Sequence, residues 1–151
     1  MTAIPLPYGD DPDTKGFWDA TRDKRLVVQR CKACSHCQFP PHPFCAQCAH
    51  DETEWVEAAG RGQVWSFGIA HGPTLPGFQN LVPYPMIVVE LEERPHIRMV
   101  GSLVAAPDAS INSVPASAIR IGLPVDITFT AVSDDITLPR WMPRASESLK
   151  P

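Results

Sequence analysis

The sequence predicts a mainly β chain, and three observations carry that expectation. Seventeen prolines in 151 residues are spread through both halves, which interrupts long helices and favours short strands joined by turns. Several short stretches alternate polar and apolar residues with the period of a half-buried strand. Four cysteines stand in two C-x-x-C pairs, Cys31-Lys32-Ala33-Cys34 and Cys45-Ala46-Gln47-Cys48, with ten residues between the pairs.

The spacing of the cysteines carries chemistry. A C-x-x-C turn lets two thiolates converge on one ion, and a second such turn completes a tetrahedral four-sulfur set suited to Zn2+. Cys31, Cys34, Cys45 and Cys48 are the expected metal ligands. Four thiolates leave no open position for water or substrate, so this zinc is expected to be structural. Two disulfides are the alternative. They need an oxidising compartment, and the N-terminus shows no charged-then-apolar leader pattern, so a cytoplasmic location is expected. With 44% apolar residues the chain can build a globular core, and no run approaches the roughly 18 apolar residues that would suggest a membrane span.

Read in order, residues 1–13 form a Pro-rich, acidic arm holding Pro5, Pro7 and Pro12. A helix is expected from Asp13 or Thr14, either of which can cap it, to about Asp23, with Phe17-Trp18 as a packing anchor. Leu26–Arg30 reads as a strand entering the first cysteine turn, and Cys34–Pro41 as the return strand. Thr53–Glu57 alternates polar and apolar and reads as a third strand. Strands this short carry too little apolar surface to fold without a staple. Lys15, Arg22, Lys24, Arg25, Arg30 and Lys32 against Asp19 and Asp23 give this part a balance of +4 in a chain of −4. That basic segment reads as a solvated face, with phosphate contact as the alternative.

Gly60-Arg61-Gly62 marks a boundary, with glycines suited to a turn at positive φ. Beyond it come strand candidates at Val64–Ala70, Met86–Glu92, His96–Val104, Val125–Val132 and Ile136–Trp141, the second and third joined across Glu93-Arg94-Pro95. Five short strands without a long helix fit a five-stranded barrel of the OB type. The long Pro- and Gly-rich loop from Gly72 to Pro85 is a candidate functional loop. The expected architecture is therefore mainly β: a short N-terminal helix, a rubredoxin-like zinc ribbon and an OB-fold barrel. Its expected divisions are 1–24 for the arm and helix, 25–59 for the ribbon, 60–143 for the barrel and 144–151 for a C-terminal tail.

No self-sufficient active site is legible, and no catalytic residue is assigned. Ser66 lacks a G-x-S-x-G setting. The fifth cysteine, Cys37, sits between the two pairs without a visible activating partner and reads as a bystander thiol, with a reactive thiol as the alternative. His71 ends a strand and opens the long loop, a place from which a side chain reaches a ligand, although a surface histidine is the plainer reading. Asp134-Asp135 reads as a turn, and no glycine-rich phosphate loop is present.

Taken together, these residues resemble the domain-of-unknown-function 35 (DUF35) proteins, an acyl-CoA-associated OB-fold family. The resemblance rests on Phe17-Trp18, Leu26-Val27-Val28-Gln29-Arg30-Cys31-x-x-Cys34, Phe39-Pro40-Pro41, Cys45-x-x-Cys48, Trp55 and Gly60-Arg61-Gly62. It continues through Pro83-Tyr84-Pro85, Val89-Glu90-Leu91 and Ile121-Gly122-Leu123-Pro124-Val125, and so runs from about residue 14 to residue 143. It implies a role in lipid or steroid metabolism beside a thiolase-like enzyme: a thiolase, a synthase or a side-chain-shortening aldolase. The partner would carry the catalytic residues, and the smaller chain would stabilise the complex and help form its acyl-CoA site, in a heterotetramer. Ser35, where many relatives have Gly, and His42, where many have Arg, depart from the family pattern.

Two other classes compete with this reading. One is a nucleic-acid-binding ribbon and OB module, disfavoured by Glu90, Glu92, Glu93, Asp126, Asp134 and Asp135 on the barrel side. The other is a stand-alone CoA-ester enzyme working through His71 or Cys37. The expectation is therefore a protein partner and an acyl-CoA substrate, with no nucleic acid and no membrane. Candidate walls for an acyl chain are Trp65, Phe67, Phe78 and Tyr84, placed between ribbon and barrel.

Overall fold

The structure is a computed structural model that describes residues 4–145. It contains one α-helix, α1 (Lys15–Arg22), and eight strands among the described residues. These are β1 (Val27–Cys31), β2 (Cys37–Gln38), β3 (Thr53–Glu57), β4 (Arg61–Ala70), β5 (Tyr84–Leu91), β6 (Arg98–Ser102), β7 (Pro124–Ala131) and β8 (Thr137–Pro143). No helix among the described residues is long and apolar enough to cross a membrane.

The helix lies where expected, but its start is built differently. Neither Asp13 nor Thr14 caps it with a side chain. The Asp11 carbonyl instead accepts the N–H groups of Thr14 and Lys15, and the Asp11 carboxylate accepts the Asp13 N–H. Asp11 therefore satisfies donors that a helix N-terminus leaves without intrahelical partners. Phe17, Ala20 and Thr21 face inward. The Phe17 ring meets Trp18 edge-on at 5.1 Å and Phe39 at 5.3 Å, so the aromatic pair is a packing anchor. Gly16 lies so close to Trp55 of β3 that a Cβ there would overlap the indole.

The first sheet has the order β2-β1-β3, antiparallel throughout. The return strand is much shorter than the stretch 34–41 suggested, only Cys37–Gln38. Residues before it belong to the first cysteine turn, and Pro40 and Pro41 after it have no N–H to give a ladder. Five of the six basic residues of this part are met by carboxylates: Lys15 by Asp19 at 3.1 Å, Arg22 by Asp19 at 2.5 Å, Arg25 by Glu57 at 3.0 Å, Arg30 by Glu54 at 2.6 Å and Lys32 by Glu52 at 3.7 Å. That matches a solvated, ion-paired face. Exposed pairs of this kind contribute at most about 1 kcal/mol each.

The second sheet has the order β6-β5-β4-β7-β8. Its ends meet through a parallel bridge between Leu103 and Trp141 and a hydrogen bond from Val104 N–H to the Trp141 carbonyl at 2.9 Å. This seam turns an open sheet into a five-stranded barrel, one that stays partly open where β4 and β7 pair only over Arg61–Gln63. β5 shows the inward alternation clearly: Ile87, Val89 and Leu91 are buried while Met86 is exposed and Val88 and Glu90 are half-buried. Val64, Met99, Leu103, Val125 and Trp141 complete the barrel interior, which is continuous with Phe17, Ala20, Leu26, Val27 and Val28 from α1 and the first sheet.

The two glycines of the boundary serve different purposes. Gly60 has φ of +70°, and a Cβ there would overlap Ile127. Gly62 does not have positive φ. It lies inside β4, where a Cβ would meet Val89 Cγ1 at 2.5 Å and the Glu90 carbonyl oxygen at 2.6 Å. β4 pairs with β5 along its length except for a bulge between Val64 and Ser66, and with β7 over Arg61–Gln63. The segment expected as a tail begins with Arg144, whose guanidinium holds Asp126 at 3.0 Å and Glu92 at 2.7 Å. The rest of that segment, 146–151, and residues 1–3 of the arm lie outside the described residues.

Candidate functional site

Two features of the structure are built well enough to bear function: a cluster of sulfurs at one end of the first sheet, and an apolar groove on the barrel.

The two cysteine turns are copies of one local design. In the first, Cys31 N–H donates to the His36 carbonyl and Ser35 N–H donates to the Cys31 carbonyl. In the second, Cys45 N–H donates to the His50 carbonyl and Ala49 N–H to the Cys45 carbonyl. The residue after each second cysteine is left-handed, Ser35 at φ +63° and Ala49 at φ +61°. This conformation suits glycine and costs other residues roughly 1 kcal/mol. We therefore expect Ala49→Gly to stabilise the fold by about 0.5–1 kcal/mol. A denaturant midpoint that falls instead would contradict this.

The turns bring the sulfurs of Cys31, Cys34, Cys45 and Cys48 within 4.8 Å of one another. Cys31 Sγ lies 3.6 Å from Cys48 Sγ, and Cys34 Sγ lies 3.6 Å from Cys45 Sγ. A tetrahedral ion with bonds of about 2.3 Å to sulfur needs sulfurs about 3.8 Å apart, so the set has the dimensions of a four-thiolate zinc centre. Backbone N–H groups also point at it, including Gln47 N–H to Cys45 Sγ at 3.4 Å. The backbone N–H of His36 draws the Cys34 thiol down, but burial and the sulfurs of Cys48, Cys45 and Cys31 outweigh it and push it up to about 12. Burial acts to raise Cys45, yet the N–H groups of Cys48 and Gln47, with the Cys34 and Cys48 sulfurs, bring it down to about 7. A cation at the centre favours the thiolate at all four positions.

Two buried glutamines hold the second turn against the first sheet. Gln38 Nε2 donates to Gln29 Oε1 at 2.6 Å and to the Phe44 carbonyl at 3.0 Å, and Gln38 Oε1 accepts the Ala46 N–H at 2.8 Å. Gln29 Oε1 also accepts the His42 N–H at 3.0 Å, while Gln29 Nε2 donates to Thr53 Oγ1. Side-chain amides thus supply what the proline-interrupted return strand does not. Reading for charge and thiols misses them. The available signal was an amide inside two of the three short strands of a cysteine-rich segment.

The other sequence candidates are not drawn into this cluster. Cys37 lies outside it, its sulfur 3.9 Å from the Ser35 carbonyl. Its own carbonyl meets His96 Nε2 at 2.8 Å, and the His36 and His96 rings lie 5.3 Å apart, which joins the first sheet to the β5–β6 turn. His71 is exposed just past β4, and Ser66 is half-buried opposite Val88.

The groove, of about 740 Å³, lies above β5, β6 and β8 and is walled by the N-terminal arm and Trp18. Of the four expected wall residues, Phe78 and Tyr84 stand on it, their rings 5.7 Å apart. Trp65 and Phe67 do not. Trp65 is the unpaired residue of the β4 bulge, 46% exposed, with the Arg98 guanidinium 3.8 Å over its ring. Nor does the groove run between the first sheet and the barrel, as expected. Its walls come from the arm, the helix and the barrel.

Comparison with known proteins matches the two parts of the chain that carry these features. Residues 18–54 match the family model described as the ChsH2 rubredoxin-like zinc ribbon domain, and residues 55–130 match the ChsH2 C-terminal OB-fold domain. The chain is similar to a probable enoyl-CoA hydratase alpha subunit of Thermomonospora curvata, 40% identical over 129 residues, which covers 84% of this chain and 36% of that protein. It is also similar to the 3-oxo-4,17-pregnadiene-20-carboxyl-CoA hydratase alpha subunit of Mycobacterium tuberculosis, 35% identical over 129 residues, covering 85% and 35%. The chain thus spans about a third of the length of these two relatives. A chain of the solved Ltp2-ChsH2(DUF35) aldolase superposes with a TM-score of 0.75 at 35% identity, over 91% of this chain and 98% of that one. With a four-cysteine zinc ribbon followed by an OB-fold barrel, this chain belongs to the DUF35 family.

Proposed function

We propose that this chain is the accessory subunit of a thiolase-like acyl-CoA enzyme: a thiolase, a synthase or a retro-aldol lyase. In this reading the partner carries the catalytic residues. This chain stabilises the complex and helps form the acyl-CoA site, within a cytoplasmic heterotetramer. The observation that carries the reading is the likeness to the ChsH2(DUF35) chain of an aldolase complex, over nearly all of that chain. Cys31, Cys34, Cys45 and Cys48 hold one Zn2+ in this proposal. The ion supplies folding energy rather than reaction chemistry, because the four sulfurs close its coordination shell.

A second reading, a subunit working with a hydratase, is favoured by the two relatives named as hydratase alpha subunits. Both readings make this chain part of an enzyme assembly, and partner identity separates them. The test is purification of the tagged chain from its native host, with mass spectrometry and native mass measurement of what accompanies it. A thiolase-fold protein in equal copy number, at the mass of two copies of each chain, is the expected result. A hydratase in that place moves the assignment to the second reading, and recovery of this chain alone overturns both.

A further inference from the structure

We propose that the groove above β5, β6 and β8 is a binding site for an anionic amphiphile, an organic acid on an apolar skeleton, with Arg140 as its anion contact. The volume of about 740 Å³ falls within the roughly 300–1,000 Å³ typical of small-molecule sites. The walls are mainly apolar, with Leu6, Phe78, Tyr84, Met86, Val100 and Leu138 among them, and Arg140 of β8 belongs to the same lining.

Arg140 is held differently from the ion-paired arginines of this chain. Arg22, Arg25, Arg30, Arg61, Arg94, Arg98 and Arg144 each lie within 4 Å of a carboxylate. Among the described residues Arg140 has no carboxylate at that range, and its hydrogen bond goes to a neutral acceptor, the Ala109 carbonyl, at 2.9 Å. Desolvation by burial lowers its pKa, while the more distant charge of Asp108 opposes that shift. A partly desolvated cation beside apolar side chains is unfavourable without a counter-charge. A guanidinium has five N–H donors in a planar fork. One edge is anchored by Ala109, and the remaining donors suit the two oxygens of an acid. Charge complementarity thus favours an anionic head, and the walls favour an apolar body.

This site goes beyond the subunit reading and does not rest on it. Binding is measured on the isolated full chain, so its failure and the failure of co-purification are distinguishable. The probe is a dansylated undecanoic acid, whose fluorescence rises on entering an apolar site, with laurate and the neutral dodecanol as competitors. Laurate is expected to displace the probe at least about tenfold more effectively than dodecanol, as one charge-assisted hydrogen-bonded pair allows. Arg140→Gln is expected to remove that preference and leave dodecanol competition within about twofold. Val100→Glu is the second variant, because Val100 is 76% exposed and its change loses little packing. It puts a like charge on the groove and is expected to weaken laurate at least several-fold. Absence of probe binding, equal competition by laurate and dodecanol, or laurate binding unchanged in both folded variants overturns the proposal.

Discussion

Cys45→Ser is expected to lose the bound zinc and unfold β1–β3 while the barrel persists. The first sheet has strands of five, two and five residues, too little apolar surface to stand without a staple. Structural zinc contributes on the order of 10 kcal/mol to the folding of such modules. Cys45 is buried, and its sulfur lies 3.6 Å from that of Cys34 and accepts the Gln47 N–H. The hydroxyl of serine is a weak ligand for Zn2+ beside a thiolate. Metal content is expected to fall from about one Zn2+ per chain toward zero, and amide protection to vanish from β1 and β3 but remain in β5 and β7. One zinc per chain and an unchanged circular dichroism spectrum in the variant would refute the assignment.

The same centre has an expected pH signature. In the metal-free protein the first sheet is expected to be unfolded, and an unfolded cysteine thiol, with an ordinary value of about 8.5, is mostly protonated at neutral pH. Zinc uptake must displace whatever protons the four sulfurs still hold. Unfolded thiols begin to ionise as pH rises toward about 8.5, so fewer protons should be released on loading at about pH 8 than at about pH 6. Titration calorimetry in buffers of different ionisation enthalpy measures that number. A release that is flat or rises over this range would contradict the arrangement.

What the sequence made legible follows from what kind of signal each part leaves. The cysteine set was readable because ligand spacing is local, each pair closing within one turn. The strands were readable because alternation is local too: β5, β6, β7 and β8 lie within two or three residues of their expected bounds. The groove was not readable. It draws on Leu6, Trp18, Phe78, Met86, Val100 and Arg140, which no local pattern connects. Trp65 and Phe67 passed as wall residues because both are aromatic in a strand. The bulge at Val64/Ser66 breaks the alternation there, and no periodic rule announces it. Gln29 and Gln38 were missed for a related reason, since their partners Phe44, Ala46 and His42 lie in a loop whose path is set by the amides themselves.

Trp141→Ala is expected to be the most destabilising single change in the barrel, at about 3–5 kcal/mol. Trp141 is 2% exposed and sits opposite Ile127 on β7. It also stands at the seam, bridged to Leu103 and accepting the Val104 N–H. Its backbone can keep that hydrogen bond in the variant, so the loss is one of packing: a large void opens where the two ends of the sheet meet. Gly101 of β6 supplies a check that a general loss of stability would not mimic. A Cβ on Gly101 would stand 2.8 Å from Cδ1 and 3.0 Å from Nε1 of the same indole. Gly101→Ala alone is therefore expected to cost about 1–3 kcal/mol through overpacking. In the Trp141→Ala background the obstructing ring is gone, and the added methyl should cost little or recover some stability. Urea unfolding of the four proteins measures the coupling directly, with at least about 1 kcal/mol of non-additivity expected for residues in contact. Additive losses would mean that the seam is not closed by this contact, and that the β6–β8 junction is held by its backbone bridge alone.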